Sequence, residues 1–206
     1  MISPFCPACG RRSQAPACCQ VDPQQSYDRE GEWIAEGAEP AFCGRCGESI
    51  PWSLRGEDHD CLPLPILFYG VASEYGAFSN FAPYPIRIEG RVYPTSEHYF
   101  QAEKFAGDPH AETIRRAKTP GSAAKFGRSR RHRIRSDWES VKRSVMLRAL
   151  RAKFGQHPEL RELLLGTGQA PLVEHTHRDA YWGDGGDGSG KNWLGRLLVE
   201  VRGELA

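Results

Sequence analysis

The 206-residue sequence lacks any long hydrophobic run, since its richest apolar stretch, Leu62 to Ala72, is short and is broken by two prolines. A helix that crosses a membrane needs roughly 20 apolar residues, so we expect no membrane span. The first residues have neither the basic start nor the apolar core of a secretory signal. We therefore expect a cytoplasmic protein in a reducing compartment.

Cysteine is absent from the last 145 residues, because all seven cysteines lie at or before Cys61. This absence excludes a cysteine nucleophile from the longer part of the chain. It also marks a domain boundary. We predict a small zinc-binding domain with an acidic linker over residues 1–62 and a larger domain over residues 63–206.

Two CxxCG motifs, Cys6–Gly10 and Cys43–Gly47, provide four thiolates in the small region. Four thiolates suit tetrahedral zinc, and a site closed by four sulfurs is structural rather than catalytic. So short a segment seldom folds without such a staple. We predict a zinc ribbon with these ligands: Cys6, Cys9, Cys43 and Cys46. Three other cysteines receive no role: Cys18, Cys19 and Cys61.

Several catalytic signatures are missing. Residues 185–192 resemble a P-loop, but Asn192 stands where a hydroxyl should hold magnesium. The His-x-Glu and Pro-Cys-x-x-Cys pair of zinc deaminases is absent, and so is the G-x-S-x-G elbow of serine hydrolases. We therefore expect neither a P-loop ATPase nor a zinc deaminase nor a serine hydrolase with that elbow.

The pattern of the larger domain predicts an α+β fold that is mostly helical with a few short strands. Strands are expected at residues 64–69 and 172–174, and a hairpin at residues 86–93 around Glu89-Gly90. Helices are expected to begin near Ser96, Asp108-Pro109 and Thr119-Pro120. A capping box, Ser136 to Glu139, predicts a long helix that ends before Gly155. Two more helices are expected at residues 158–165 and 193–205.

Charge is distributed unevenly along the chain. Residues 1–62 carry a net charge of −5 and residues 63–206 a net charge of +6. The segment from Arg115 to Lys153 has 14 basic residues against two acidic ones. A solvated helical surface is the favoured interpretation, and attraction of phosphates is the alternative.

Two groups of residues have the composition of a binding site. The helix from Ser96 places Glu97, Gln101 and Lys104 on one face, as a polar stripe or the wall of a pocket. The aromatic-rich segment before it, residues 78–83, favours the pocket. Farther along, residues 175–195 combine a glycine-dense loop that can bind an anion, the carboxylate Asp179 and a stacking Trp182.

A series of motifs occurs in order along the chain: Phe68-Tyr69, Phe78-Ser-Asn-Phe81, Tyr93-Pro-Thr-Ser-Glu-His-Tyr-Phe-Gln-Ala-Glu-Lys-Phe105, Ala117-Lys-Thr-Pro120, Gly127-Arg128, Asp137-Trp-Glu139, Val145-Met146, Lys153-Phe154, Asp179-Ala-Tyr-Trp-Gly-Asp-Gly185 and Gly190-Lys-Asn192. On these motifs, residues 65–204 resemble the NADAR family, especially the bacterial N-glycosidases that act on riboflavin-pathway intermediates. This resemblance implies hydrolysis of the bond between ribose C1 and a ring-attached nitrogen, a reaction that needs neither a catalytic metal nor an organic cofactor. One branch of the family cleaves phosphorylated ribosylamino-pyrimidines, and another removes ADP-ribose from guanine in nucleic acid.

Transferred to this chain, the resemblance implies two catalytic carboxylates, Glu97 and Asp179. Glu97 would work at the sugar and activate water, and Asp179 would orient the substrate or handle the leaving nitrogen. The opposite assignment stays open, and so does a Schiff base between Lys104 and ring-opened ribose. The remaining positions implied to bind substrate are Asn80, Lys104, Arg128, Trp138, Trp182, Gly183 and Asn192. Of these, Trp138 and Trp182 would clamp the heterocycle, and Arg128 and the loop Gly183–Gly190 would hold a phosphate.

A small phosphorylated ribosyl substrate is the favoured expectation, because the acidic residues 1–62 are poorly suited to a nucleic-acid backbone. Two alternatives remain open: removal of ADP-ribose from guanine in nucleic acid, and an ADP-ribose-type binding module without turnover.

Overall fold

The structure, a computed structural model, describes residues 63–206 and the backbone of four two-residue strands before them. These strands are β1 (Ser26–Tyr27), β2 (Trp33–Ile34), β3 (Ala41–Phe42) and β4 (Ser49–Ile50). They form two antiparallel pairs, β1 with β2 and β3 with β4. The zinc ligands predicted above (Cys6, Cys9, Cys43 and Cys46) lie outside the described residues, so the zinc ribbon stays a prediction.

The chain divides into two compact units. One comprises Met1–Ile66 with Gly166–Pro171, and the other comprises Leu67–Leu165 with Leu172–Ala206. The second unit carries most of the secondary structure among the described residues.

The described residues 63–206 form six α-helices, four short strands and a 3₁₀ turn at Gly76–Phe78. The helices are α1 (Ser96–Glu103), α2 (His110–Arg115), α3 (Pro120–Gly127), α4 (Trp138–Gln156), α5 (Pro158–Leu165) and α6 (Trp193–Leu205). The strands are β5 (Ile66–Phe68), β6 (Ile86–Ile88), β7 (Arg91–Tyr93) and β8 (Leu172–Glu174). The expected mostly helical α+β fold is confirmed for this part of the chain.

The hairpin and two helix starts follow local rules that the sequence shows. Strands β6 and β7 pair around Glu89 and Gly90, which both have positive φ, as a tight hairpin turn requires. Thr95 caps α1 by accepting a hydrogen bond from the His98 amide at 3.3 Å. Thr119 caps α3 in the same way. These predictions are confirmed.

The expected capping box of α4 is wrong. The helix begins at Trp138 with Asp137 as its N-cap residue, and the Asp137 side chain makes no capping hydrogen bond. Its carboxylate instead pairs with the Arg135 guanidinium at 2.6 Å. The helix also continues through Gly155 to Gln156, and it ends where Pro158 disfavours helical geometry in the residue before it.

Helix α4 lies at the centre of the unit and packs against α1, α5 and α6. Near its C-terminal end, the Phe154 ring contacts Phe78, which in turn contacts Phe68. Lys153 is fully buried beside them, and its ammonium donates to the backbone carbonyls of Ala77 and Ser79. This bond ties α4 to the segment that enters the candidate site. Among the described residues, no helix is long and apolar enough to cross a membrane.

Candidate active site

A cavity of about 600 Å³ opens between α1, the start of α4 and the loop that follows β8. This volume falls in the range of small-molecule sites. Seven of the nine residues that the resemblance placed in the site line it: Asn80, Glu97, Lys104, Arg128, Trp138, Asp179 and Trp182. The two catalytic candidates, Glu97 and Asp179, therefore face the same cavity although 81 residues separate them in the chain.

Glu97 lies in the first turn of α1 and is 4% exposed. The Gln101 side chain, one turn later, donates to one carboxylate oxygen at 2.7 Å, and the Asn80 side chain donates to the other. Burial raises the pKa of Glu97 to about 7, while these two donors and the charges of Lys104 and Arg128 act in the opposite direction. Glu97 is thus a buried carboxyl that can take up and release a proton near neutral pH.

Asp179 is held by a turn of its own backbone. One carboxylate oxygen, Oδ1, accepts hydrogen bonds from the amides of Tyr181 at 2.7 Å and Trp182 at 2.8 Å. This is the turn that an aspartate forms with amides two and three residues later. The second oxygen has no hydrogen bond with the described residues, so it is available to a ligand in the cavity.

Aromatic rings form one wall of the cavity. The Phe100 ring meets Trp138 at 4.9 Å and Trp182 at 5.3 Å between centroids, each edge to face, and Tyr181 meets Trp182 at 5.2 Å. The Lys104 ammonium lies 5.6 Å from both the Phe100 and the Trp138 centroid. Burial lowers the pKa of Lys104. This wall combines flat apolar faces with one cation, a surface that suits a planar heterocycle.

The sequence analysis missed three charged residues of the cavity: Glu174, Arg178 and Lys142. Glu174 ends β8 and is 8% exposed. The signal that could have identified it is the two-residue period of a strand, since Leu172 and Glu174 are both buried while Val173 between them is less so. Burial raises the pKa of Glu174 to about 7, and the nearby carboxylates of Asp179, Glu97 and Asp184 add to the increase.

Arg178 and Arg128 line the cavity and are exposed. Neither takes part in a salt bridge with the described residues. Lys142, another cation of the lining, is already paired with Glu139 at 2.6 Å. The two arginines are therefore the cations best placed to meet an anionic group of a ligand.

Gly183 and Asn192 do not line the cavity. The Asn192 side chain accepts from the Glu174 amide at 3.0 Å and donates to the Leu172 carbonyl at 2.8 Å, so it holds β8. A Cβ atom on Gly183 would lie 2.7 Å from the Glu174 carbonyl oxygen, so only glycine allows this close approach.

The glycine-dense loop of residues 183–190 makes many hydrogen bonds within itself. The Gly185 amide donates to the Asp179 carbonyl at 3.2 Å, and the Gly190 amide donates to the Asp184 carbonyl at 2.8 Å. The Asp184 carboxylate accepts from the Gly186 amide. None of these loop residues belongs to the cavity lining. Among the described residues, no group of three or more histidine, cysteine, aspartate or glutamate side chains is placed to bind a metal ion.

Comparison with known proteins places this site in a family. The model of the NADAR domain matches residues 67–206. N-glycosidase YbiA of Escherichia coli strain K12 is 59% identical over 141 residues, which cover 68% of this chain and 88% of that protein. An N-glycosidase of Nostoc punctiforme is 43% identical over 145 residues, covering 69% of this chain and 93% of that protein.

Two further similarities extend this result. A riboflavin biosynthesis protein of Vibrio vulnificus is 43% identical over 141 residues, covering 68% of this chain and 38% of that protein. The NMR structure of E. coli YbiA superposes with a TM-score of 0.65 at 58% identity, covering 69% of this chain and 84% of that structure. The match spans the described helices and the cavity between them, and this chain belongs to the NADAR family.

Proposed function

We propose that this protein is an N-glycosidase that hydrolyses the bond between ribose C1 and an amine nitrogen on a pyrimidine-type ring, in phosphorylated intermediates of riboflavin biosynthesis. The observation that carries the proposal is the meeting of Glu97 and Asp179 in one cavity beside two tryptophans. The names of the relatives support it, since they include N-glycosidases and a riboflavin biosynthesis protein.

The chemistry follows from the charges that develop when the bond breaks. Positive charge builds on the sugar, and negative charge builds on the leaving ring unless a proton reaches it. Glu97 activates the attacking water and stabilises the sugar cation, as a carboxylate does in O-glycoside hydrolysis. The two hydrogen bonds from Asn80 and Gln101 aim its oxygens and favour the ionised form.

The other lining residues bind and orient the substrate. Asp179 presents its free oxygen to the sugar, because its other oxygen is fixed by two amides. Trp138 and Trp182 flank the heterocycle. Arg128 and Arg178 hold the phosphate, since both are exposed at the cavity without a carboxylate partner among the described residues.

A second substrate class has one structural observation in its favour. Three exposed arginines follow Arg128 in the chain: Arg130, Arg131 and Arg133. Exposed arginines that follow a lining residue in the chain suit the phosphates of a polynucleotide, and the substrate would then be ADP-ribosylated guanine in nucleic acid.

The experiment gives the purified full chain both substrates in parallel. We expect free ribose 5-phosphate to be released from the ribosylamino-pyrimidine phosphate at a rate that saturates with substrate. Release of ADP-ribose from ADP-ribosylated guanosine, with the pyrimidine substrate left intact, would establish the second class instead. Tight binding of either compound with no product would show a binding module and would refute the enzymatic proposal.

A further inference from the structure

Glu174 is a carboxyl group of the cavity that the proposed mechanism does not yet use. It lines the cavity while only 8% exposed. Its side chain makes no hydrogen bond and no salt bridge with the described residues. A buried carboxyl without such partners is costly to ionise.

Burial raises the pKa of both Glu97 and Glu174 to about 7, and the two carboxyls differ in their hydrogen bonds. Glu97 receives hydrogen bonds on both oxygens, and both donors are amides that favour the carboxylate. Glu174 has no donors, and the charged groups that raise its pKa are all carboxylates: Asp179, Glu97 and Asp184. When two neighbouring carboxyl groups share one proton, the proton resides on the group whose ionised form is less stabilised.

The charged residues that face this part of the cavity come from four segments. Glu97 lies in α1 and Lys104 directly follows it, Arg128 follows α3, Lys142 belongs to α4, and Arg178 and Asp179 belong to the loop after β8. Asp184 is fixed outside the lining by His175 at 2.8 Å and by the Thr176 amide at 3.1 Å. Lys104 and Arg128 act on the charge of Glu97, whereas Glu174 forms no salt bridge with a cation among the described residues.

The backbone around Glu174 is fixed on both sides. Its amide donates to Asn192, and its carbonyl accepts from the Asp184 amide at 3.0 Å, against which Gly183 packs without a Cβ. Two residues that the sequence placed in substrate binding, Gly183 and Asn192, therefore act on the strand end that carries this carboxyl. A proton donor requires such a fixed position, since proton transfer depends on hydrogen-bond reach.

From this geometry we infer that Glu174 is the general acid of the site and donates its proton to the departing ring nitrogen. The inference rests on the proposed function. As the C1–N bond breaks, its electron pair stays on the nitrogen, which takes the Glu174 proton. Water adds its oxygen to C1 and gives one proton to Glu97. That proton returns to Glu174 through solvent, so the net reaction consumes one water.

The test compares two leaving groups. The first substrate is the ribosylamino-pyrimidine phosphate, whose nitrogen needs a proton to leave. The second is 4-nitrophenyl riboside 5-phosphate, whose phenolate leaves without one. We expect Glu174→Gln to lower kcat on the first substrate by about a hundredfold and to keep the second within about threefold of wild type. In the wild type, kcat on the first substrate should decline above about pH 7, because Glu174 loses its proton, and this decline should be absent in Glu174→Gln.

The controls separate the inference from the function. Glu162→Gln, an exposed change on α5, should leave both rates unchanged, and Glu97→Gln should lower both. Equal losses on the two substrates in Glu174→Gln, or no loss, would overturn the assignment. The assignment would also be overturned if Asp179→Asn lost activity on the pyrimidine substrate but kept it on the nitrophenyl substrate, because Asp179 would then be the proton donor. Wild-type enzyme that cleaves neither compound would reject the proposed function itself.

A measurement on the wild-type protein covers the case in which Glu174→Gln does not fold. The side-chain carboxyl carbon of Glu174 is followed by ¹³C NMR, with its signal assigned by its loss in Glu174→Asp. Titration near pH 7 is the expected result. Titration in the ordinary range of about 4 to 5 would overturn the inference, because the group could not then hold a proton at neutral pH.

Discussion

Asn80 is bonded to Glu97 through both its backbone and its side chain. The Asn80 carbonyl accepts from the Glu97 amide at 3.0 Å, and the Asn80 side-chain amide donates to the Glu97 carboxylate. These two bonds join the loop before the hairpin to the first turn of α1 at Glu97, the proposed base. The Lys153 ammonium holds the same loop by donating a hydrogen bond to the Ser79 carbonyl at 2.9 Å.

Replacing Asn80 should change the pH dependence of the enzyme. The Asn80 hydrogen bond lowers the pKa of Glu97, so Asn80→Ala raises that pKa and less of the carboxylate is present below neutrality. We expect the acid limb of the kcat/KM profile to move up by about one pH unit. The matched control is Gln156→Ala, which loses an amide that bonds Arg87 outside the cavity lining. If the acid limb of the kcat/KM profile keeps its wild-type pH in Asn80→Ala, Glu97 is not the base.

Glu97→Gln should lower kcat by about a hundredfold or more, because the amide cannot accept a proton from water. KM should change little, since the side chain keeps its size. The control on the same helix is Glu103→Gln, which lies outside the cavity lining. Steady-state rates of ribose 5-phosphate release measure both. Activity near that of wild type in Glu97→Gln would contradict the mechanism.

Arg178→Ala should raise KM for the phosphorylated substrate by about tenfold, because a charge-assisted hydrogen bond to a phosphate is lost. The same change should have little effect on the dephosphorylated nucleoside. Arg116→Ala, an exposed position directly after α2 and outside the cavity lining, serves as the control. A KM that rises equally for both substrates would show that Arg178 acts on some other part of the molecule.

Direct hydrolysis predicts that no covalent bond forms between Lys104 and the sugar. With substrate and sodium cyanoborohydride present, the intact mass of the protein should not change. An added ribose phosphate on the wild type that disappears in Lys104→Met would establish the Schiff-base route instead. The lowered pKa of Lys104 makes this a necessary control, because a neutral amine is the nucleophile of that route.

Lys153 predicts a pH dependence of stability. Burial lowers its pKa to about 7 in the folded protein, well below its ordinary value, so the unfolded chain binds more protons between about pH 7 and 10. The free energy of unfolding of the wild type should therefore rise with pH over this window relative to Lys153→Met, by on the order of 3 kcal/mol. Urea unfolding at pH 7, 8.5 and 10 measures it, with Lys118→Met on the surface as control. A constant difference between wild type and Lys153→Met would show that Lys153 stays charged.

The features that the sequence predicts well are local ones. The Glu89-Gly90 turn and the Thr95 and Thr119 caps depend on residues at most three positions apart. The α4 capping box failed because the helix begins one residue later than a Ser136 cap requires, and the Glu139 carboxylate pairs with Lys142, a contact that the capping pattern does not contain. The family resemblance supplied Glu97 and Asp179, which no spacing rule could join.

The features that the sequence did not predict depend on contacts between distant residues. Glu174 sits on a strand of three residues, too short for its alternation to be read with assurance. Asn192 reaches back 18 and 20 residues to that strand, so its part in holding β8 emerges only in the folded chain. Arg178 lies in a loop, where no helix or strand period predicts which side chains face the cavity.

The most direct test of the account is a crystal structure of Glu97→Gln with the ribosylamino-pyrimidine phosphate bound. The account predicts that ribose C1 lies between position 97 and Asp179, with the water that attacks it about 3–3.5 Å away. The pyrimidine should lie against Trp138 and Trp182. A substrate bound with its C1 atom remote from both positions, or in another cavity of the protein, would contradict it.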